Sequence, residues 1–274
     1  MFKIYDLNMK EITLPKGVMP LEIFVGSVAK NRVTEEVDGR AGVVDYGFNY
    51  TDRPVSLFLR IKAADKIDFR LLRNEVFATF DVGSAFYVAE TDVPSRVLKV
   101  VVDESYMPDR LTEEYADFDI NCRTLDSVFW ESKYTTLELH DSGYSATAEK
   151  YGLVDNIDDE KVQYRFTESN FTVYNAGNVA VEPESMFLKI GFRFVSSEGN
   201  LKLKNLTTGE VFEYHKPITR RHLTIDGTVI KEGTYNAFRD TNRRFVSLAP
   251  GVNEFEITGA TFEEIRFEFK FLYK

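Results

Sequence analysis

Three histidines, His140, His215 and His222, are all the imidazoles that the 274 residues offer for metal binding or proton transfer. His215 and His222 flank the turn at Pro217, so they are not spaced as ligands on one element. His140-Asp141-Ser142 contains the residue types of a hydrolytic triad, but triad members meet in space rather than in sequence, and the tripeptide reads as ordinary solvated chain. HExxH, GxSxG, phosphate-loop and GxGxxG patterns are all missing. Carboxylates are plentiful, and an all-β domain holding two of them across a groove could hydrolyse glycosides. Asp155, Asp158, Asp159 and Glu160 instead share one turn-rich segment, which reads as a solvated acidic loop or a weak calcium site outside the EF-hand spacing. Lys216, Arg220 and Arg221, with His222, form the only basic cluster, either a solvated strand end or a contact for an acidic partner. The single tryptophan, Trp130, leaves a sugar-binding surface without its usual stacking platform unless a tyrosine substitutes.

The totals narrow the class further. The chain is 43% hydrophobic and 28% charged, a globular composition, and its abundant Phe and Tyr favour strands. Up to Trp130 there are 16 basic and 22 acidic residues, and after it 18 and 22, so both halves are acidic and neither suits nucleic-acid binding through a basic face. One cysteine, Cys122, excludes an internal disulfide and a multi-cysteine zinc site, and its phase in the surrounding alternation makes it a small buried hydrophobe. Met1-Phe2-Lys3 leads into mixed polar sequence without a signal-peptide pattern, and no apolar run approaches the ~20 residues of a membrane span, so folding in a cytoplasm without export is expected.

The elements that must position these residues are mostly strands. Phe2–Leu7, Leu21–Val28, Val55–Lys62, Ala85–Glu90, Val97–Asp103 and Tyr115–Arg123 read as strands of a first domain. A helix is expected from Asp65, its N-cap, to about Phe80, with Asp68 as a weak capping-box partner and Gly83 as terminator. Phe69, Leu72, Val76 and Phe80 make its buried stripe, while Ile67, Leu71 and Ala78 form a second apolar face that covers a loop or meets a neighbouring subunit. The pattern loosens from Thr124 to about Asp159, which places a boundary near Trp130 and gives domains 1–130 and 131–274. Beyond the boundary the chain reads as strands alone: Phe166–Tyr174, Met186–Val195, Leu201–Leu206, Val211–His215, His222–Ile225, Thr228–Lys231, Phe245–Leu248, Glu254–Ile257 and Glu264–Tyr273. Thr207-Thr208-Gly209 and Asp226-Gly227 read as hairpin turns, the latter of type I′. Short strands at regular spacing predict a β-sandwich or jelly roll.

One stretch, Asn31 to Ala63, stands apart. It reads as two extended arms around a turn at Asp38-Gly39, lengthened by Gly42 and open to a bulge, followed by a core strand. Val33, Glu35 and Val37 point one way and Thr34 and Glu36 the other; neither arm carries a strongly apolar face. A hairpin with little to bury protrudes or finds its partner in another chain, which suggests an assembly subunit.

Three segments carry a resemblance. The first runs from Glu36, Asp38-Gly39-Arg40, Gly42 and Asp45-Tyr46-Gly47 through Arg53-Pro54 and Leu71-Leu72-Arg73-Asn74-Glu75-Val76-Phe77 to Phe86-Tyr87-Val88. The second is Phe171-Thr172-Val173-Tyr174-Asn175-Ala176-Gly177-Asn178, with alanine where proline is expected. The third is Arg244-Phe245-Val246-Ser247-Leu248-Ala249-Pro250-Gly251-Val252-Asn253-Glu254-Phe255. In order and spacing they resemble the distal tail proteins of siphophages, the long, non-contractile-tailed bacteriophages, of Gram-positive hosts. The resemblance covers nearly the whole chain and is least at Leu137–Glu160. It implies a mainly β protein: an N-terminal β-barrel or sandwich with one flanking helix, then a C-terminal galectin-like jelly roll. It implies a homohexameric ring in the virion, at the distal end of the tail, made in the bacterial host cytoplasm. The ring would join the tail-tube protein to the tail-tip protein, with DNA only as passing cargo and no membrane, cofactor, metal or catalysis. The outward C-terminal domain would be available to receptor-binding or baseplate proteins. Val33, Glu35, Val37, Gly39, Arg40, Gly42, Ile67 and Leu71 are the ring-interface candidates, and Lys216, Arg220 and Arg221 the outer-partner candidates. The competing class is an all-β carbohydrate-binding module or glycoside hydrolase, recognisable by a groove with paired carboxylates or exposed stacked aromatics.

Overall fold

The computed structural model describes residues 1–81, 83–142 and 161–274. The chain divides into two compact units, Met1–Trp130 with Lys274, and Glu131–Tyr273. The first contains β1 (Phe2–Tyr5), β2 (Val18–Val25), β3 (Ala29–Glu36), β4 (Val43–Thr51), β5 (Pro54–Lys62), α1 (Lys66–Thr79), β6 (Ala85–Glu90), β7 (Arg96–Val102), β8 (Asp109–Arg110) and β9 (Tyr115–Thr124). A short strand, β10 (Trp130–Ser132), lies at the boundary.

The alternation of β5 sets the first core. Val55, Leu57, Leu59 and Ile61 are at most 2% exposed, and they sit opposite Cys122, Ile120, Phe118 and Ala116 of β9 in an unbroken antiparallel register. On the other face Arg60 and Asp117 form a bidentate pair at 2.6 and 2.7 Å. The sheet runs β1-β6-β7-β9-β5-β2, with β8 on β9, and its end strands β1 and β2 approach one another, so it curls toward a barrel. Helix α1 buries Phe69, Leu72 and Val76, with Phe80 just beyond its end. Asp65 Oδ1 accepts the Ile67 and Asp68 amides at 2.7 and 2.8 Å, and Asp68 reaches back to the Ala64 amide, one residue earlier than a standard capping box. At the other end the Tyr106 hydroxyl donates to the carbonyls of Val76 and Phe80.

The second unit contains β11 (Arg165–Phe166), β12 (Asn170–Asn175), β13 (Leu188–Ser197), β14 (Leu201–Asn205), β15 (Val211–Tyr214), β16 (Ile218–Asp226), β17 (Val229–Glu232), β18 (Tyr235–Asn236), β19 (Gly251–Thr258), β20 (Glu264–Phe269) and β21 (Leu272–Tyr273). A six-stranded sheet, β11-β20-β13-β16-β17-β18, and a four-stranded sheet, β12-β19-β14-β15, are both antiparallel. Phe267 of the first sheet meets Phe255 and Phe171 of the second at ring distances of 5.0 and 5.7 Å, which makes the unit a sandwich.

Four expectations need correction. A helix occupies 136–142, where strands alone were expected. Its signal is a capping box: the Thr135 amide donates to Glu138 Oε2 at 2.7 Å, and the Glu138 amide to Thr135 Oγ1 at 3.4 Å. The strand expected over Phe166–Tyr174 is two strands in different sheets, because the chain crosses the sandwich at residues 167–169. The β16–β17 turn pairs Asp226 with Val229, so its central residues are Gly227-Thr228, and positive φ at Gly227 alone fits type II′ rather than I′. Phe245–Leu248 is not a strand: its ladder is a single bridge from Leu248 to Val181.

Side chains hold that last segment in place of a sheet. The Asn253 amide group donates to the carbonyls of Ala249, Gly251 and Val173, and its oxygen accepts from the Ala249 amide and from Asn205. Asn205 also donates to the Ser247 carbonyl, and Glu210 Oε2 accepts both the amide and the hydroxyl of Ser247 at 2.6 Å. Asn175 donates to Val179 and Leu248 carbonyls. The three asparagines are at most 1% exposed and every one is bonded, as buried amides must be.

A second polar knot ties β15, β16 and β17. Glu232, its side chain 6% exposed, accepts from the Tyr214 hydroxyl at 2.8 Å, the Arg221 guanidinium at 2.9 Å and the Lys216 ammonium at 3.1 Å. Burial pushes its carboxyl up, but the Tyr214 hydroxyl and the two cations outweigh burial and hold it below the usual carboxylate value. A depressed folded pKa contributes stability that is complete above the unfolded value and is lost as pH falls through the folded one. Glu232→Gln is therefore expected to cost about 1–3 kcal/mol at neutral pH, because the amide keeps one acceptor for Tyr214 but loses the charge-assisted bonds from Arg221 and Lys216. The difference from wild type should shrink as pH is lowered through the carboxylate range. Urea unfolding across that range checks this; a pH-independent difference would show that the carboxylate is not ionised in the fold.

Candidate assembly surface

The hairpin β3–β4 is a two-stranded sheet that pairs with no third strand among the described residues. Its register runs from Ala29↔Thr51 to Glu36↔Val43, with a shift between Arg32 and Thr34. The bulge thus falls in the arm opposite Val33 rather than in the turn. All of β3 is exposed, and β4 is exposed except for partial cover at Val44 and Gly47. The tip turn closes from the Arg40 amide to the Val37 carbonyl at 3.1 Å, with Gly39 at φ 81° and Gly42 at φ 88°. Asp38 keeps a negative φ, so this is a type II turn, which requires a positive φ at its third residue. A Cβ at Gly39 would touch nothing within 4 Å, so the glycine serves the backbone and not packing.

Polar pairs stiffen the arms. Arg32 pairs with Asp45, and the Tyr46 hydroxyl donates to Glu35 Oε2 at 3.0 Å. The Gly47 amide and the Arg32 guanidinium hold the Asp45 carboxyl below its ordinary value. One face is more apolar than the sequence suggested. Phe48 meets Tyr50 edge-on at 5.4 Å, Tyr50 meets Phe129 at 5.0 Å, and the Lys30 ammonium lies 3.8 Å from the Phe48 ring. This aromatic file runs from the body of the unit out along the ribbon. Its signal was the two-residue spacing of Phe48 and Tyr50, opposite Arg32 and Lys30. At the root, the Arg53 guanidinium donates to the Gly26 and Val128 carbonyls and its amide to Thr124 Oγ1.

Each sequence candidate can now be placed. Val33, Glu35, Val37, Gly39, Arg40 and Gly42 lie together on the exposed ribbon. Ile67 and Leu71, one turn apart on α1, are 65% and 58% exposed, so no loop of the described chain covers that face. Lys216 and Arg221 converge on Glu232, while Arg220 pairs with Glu263 at 3.4 Å and its guanidinium lies 5.3 Å from the Phe194 ring. Asp141 is engaged by Arg165 at 2.9 and 3.1 Å, which separates it from any triad role. Burial pushes the Cys122 thiol up to about 12, as for an inert core cysteine. Asp155, Asp158, Asp159 and Glu160 lie outside the described residues. Among the described residues no group of His, Cys, Asp and Glu is placed to hold a metal, and no helix is long and apolar enough to cross a membrane.

Residues 7–122 match the family of phage tail protein RIFT-related domains. The whole chain is similar in structure to the SPP1 Dit (gp 19.1) protein, described as a paradigm of the hub adsorption apparatus in phages that infect Gram-positive bacteria. The TM-score is 0.68 at 12% identity over 99% of this chain and 100% of that one. A weaker likeness extends to a chain of the phage p2 baseplate in its activated conformation with Sr, at TM-score 0.44 and 9% identity over 98% of this chain and 97% of that one. No curated protein sequence matches the chain. Residues 7–122 are thus similar to the phage tail protein RIFT-related domain, and the full length has the fold of the SPP1 Dit protein.

Proposed function

We propose that the protein is the hub at the distal end of a phage tail, a ring of six copies joining the tail tube to the tail-tip protein. The observation that carries this reading is the unpartnered ribbon. An isolated two-stranded hairpin is marginal in water, and two open edges invite pairing. An arm that leaves its own domain and contacts a different patch on the next copy makes a heterologous interface, which closes into a ring when the rotation allows. Exposed Ile67 and Leu71 supply a second apolar contact. In this reading DNA passes through the ring, and the acidic balance of the N-terminal residues suits a conduit, since a basic wall would hold phosphates and release counterions. The C-terminal unit, 131–274, faces outward as the platform for receptor-binding or baseplate proteins, with Arg220 on its surface.

Two variants separate assembly from folding. Gly39→Val forces a β-branched residue into a positive φ at a tip with no packing neighbours. It should leave a soluble monomer with near-native thermal stability that forms no six-fold rings, alone or with the tail-tube protein, in negative-stain images. Leu72→Ala, in contrast, removes a buried side chain and should cost about 2–5 kcal/mol. Equal unfolding by both would place the hairpin in its own domain's core and end the reading.

A third variant addresses the helix. Ile67→Ser with Leu71→Ser should keep the far-UV circular dichroism of the wild type and weaken the ring. Rings of wild-type stability would remove α1 from the interface. Residues 131–274, expressed alone, should give dispersed amide resonances. A molten fragment beside a folded full chain would show that this unit is not a domain.

A further inference from the structure

The outward face of the six-stranded sheet contains a groove of about 380 Å³, lined in part by Leu137, Lys189, Arg193 and His222. Its floor is Gly191, in the centre of β13, with β20 on one side and β16 on the other. Nothing among the described residues accounts for this glycine. Its φ is not in the left-handed region, and an added Cβ would meet no atom within 4 Å. Glycine in a strand interior weakens the strand, and where no bulge or bend needs it, it marks a place where something else approaches the backbone.

The residues around Gly191 form three rows across the strands. Thr224, Gly191 and Arg266 make the central row. Asp226, Lys189 and Glu268 make the row on one side, with Lys189 and Glu268 paired at 3.5 Å. On the other side Arg193 stands opposite Glu264, which also receives Arg266 and Arg165. At that row the β13–β16 register shifts, between Phe192 and Val195, and Phe194 and Arg220 take positive φ values of 48° and 47°. A phenylalanine in this conformation is costly and persists only where the surroundings impose it. The ring of Phe194 lies 4.7 Å from His222, with the Arg220 guanidinium 5.3 Å from its centre. The half-buried ring of Phe194 therefore adjoins the groove through His222, which lines it.

We propose that this face binds a neutral saccharide, with a sugar ring over Gly191. Sugar hydroxyls donate and accept together, and each cation here has a carboxylate beside it, so the face offers both partners at one spacing. A bare anion would meet Glu264 and Glu268, and a bare cation would meet Arg193 and Arg266. The apolar face of a sugar ring can lie on a floor without a side chain and against Phe194. Three strands span about 10 Å, and the volume falls within the usual range of small-ligand sites, roughly 300–1,000 Å³. The inference goes beyond the ring reading and does not depend on it.

The test is a titration of the ¹⁵N-labelled full chain with glucose, galactose and N-acetylglucosamine, in parallel with inorganic phosphate. Saturable shifts at the amides of Gly191, Thr224 and Arg266 with at least one sugar are expected. Gly191→Val fills open space with a better strand former, so its thermal midpoint should equal or exceed the wild type while sugar affinity falls by more than about tenfold. Gly191→Ala gives the same readout should the valine protein not fold. Gly39→Val should bind sugar as the wild type does, which separates this site from ring formation. The proposal is overturned by the absence of saturable shifts with all three sugars, by wild-type binding in the folded Gly191 variant, or by phosphate binding more tightly than every sugar.

Discussion

Pairing of β5 on both sides is the constraint from which the N-terminal unit follows. The side-chain period of a strand is two, so a one-residue slip would exchange Val55, Leu57, Leu59 and Ile61 for Ser56, Phe58, Arg60 and Lys62 in the core. The unbroken register with β9 prevents that slip, and it brings Arg60 to Asp117 on the outer face. Once β5 is fixed, the start of the strand is fixed too. Arg53, just before it, ties its guanidinium to the Gly26 carbonyl, and the two roots of the ribbon are held together. The ribbon can then be exposed without being loose, because its base belongs to the core even though its tip does not.

The two units handle their polar groups differently. In the ribbon, ion pairs and an aromatic file are exposed, and each contributes little in water. Their value lies in keeping two strands straight enough to present a consistent surface. In the sandwich, Asn175, Asn205, Asn253 and Glu232 are buried with their partners, so loops that have no ladder still have a single conformation. Such networks are costly when incomplete and specific when complete. Against that background an unexplained glycine in a central strand is informative, since the surrounding residues leave little else to chance.

The alternation of Tyr115–Arg123, the apolar stripe of α1 and the Asp65 cap were all legible in the sequence, because periodicity and capping are local properties. So was the exposure of the ribbon, which follows from five charges between Glu35 and Asp45. The helix at 136–142 was legible in principle through Thr135 and Glu138, but its residues lack a long apolar stripe. Phe245–Leu248 was not legible, since β-branched and aromatic residues favour extended chain whether or not a neighbouring strand supplies hydrogen bonds.

What the tertiary structure alone decided is which side chains share a surface. Lys216, Arg220 and Arg221 look like one basic patch in sequence, yet two of them turn to a carboxylate eleven and sixteen residues away and the third turns elsewhere. Phe48 and Phe129 are distant in the chain and are linked through Tyr50 only when the root of the ribbon is set against the body of the unit. Gly191 is an ordinary glycine until β16 and β20 place Thr224 and Arg266 beside it. Local pattern determines the conformation of a segment because its hydrogen bonds and burial depend on near neighbours. Charge pairing, aromatic contact and groove formation depend on residues brought together across strands, and strand order is not written in any one strand.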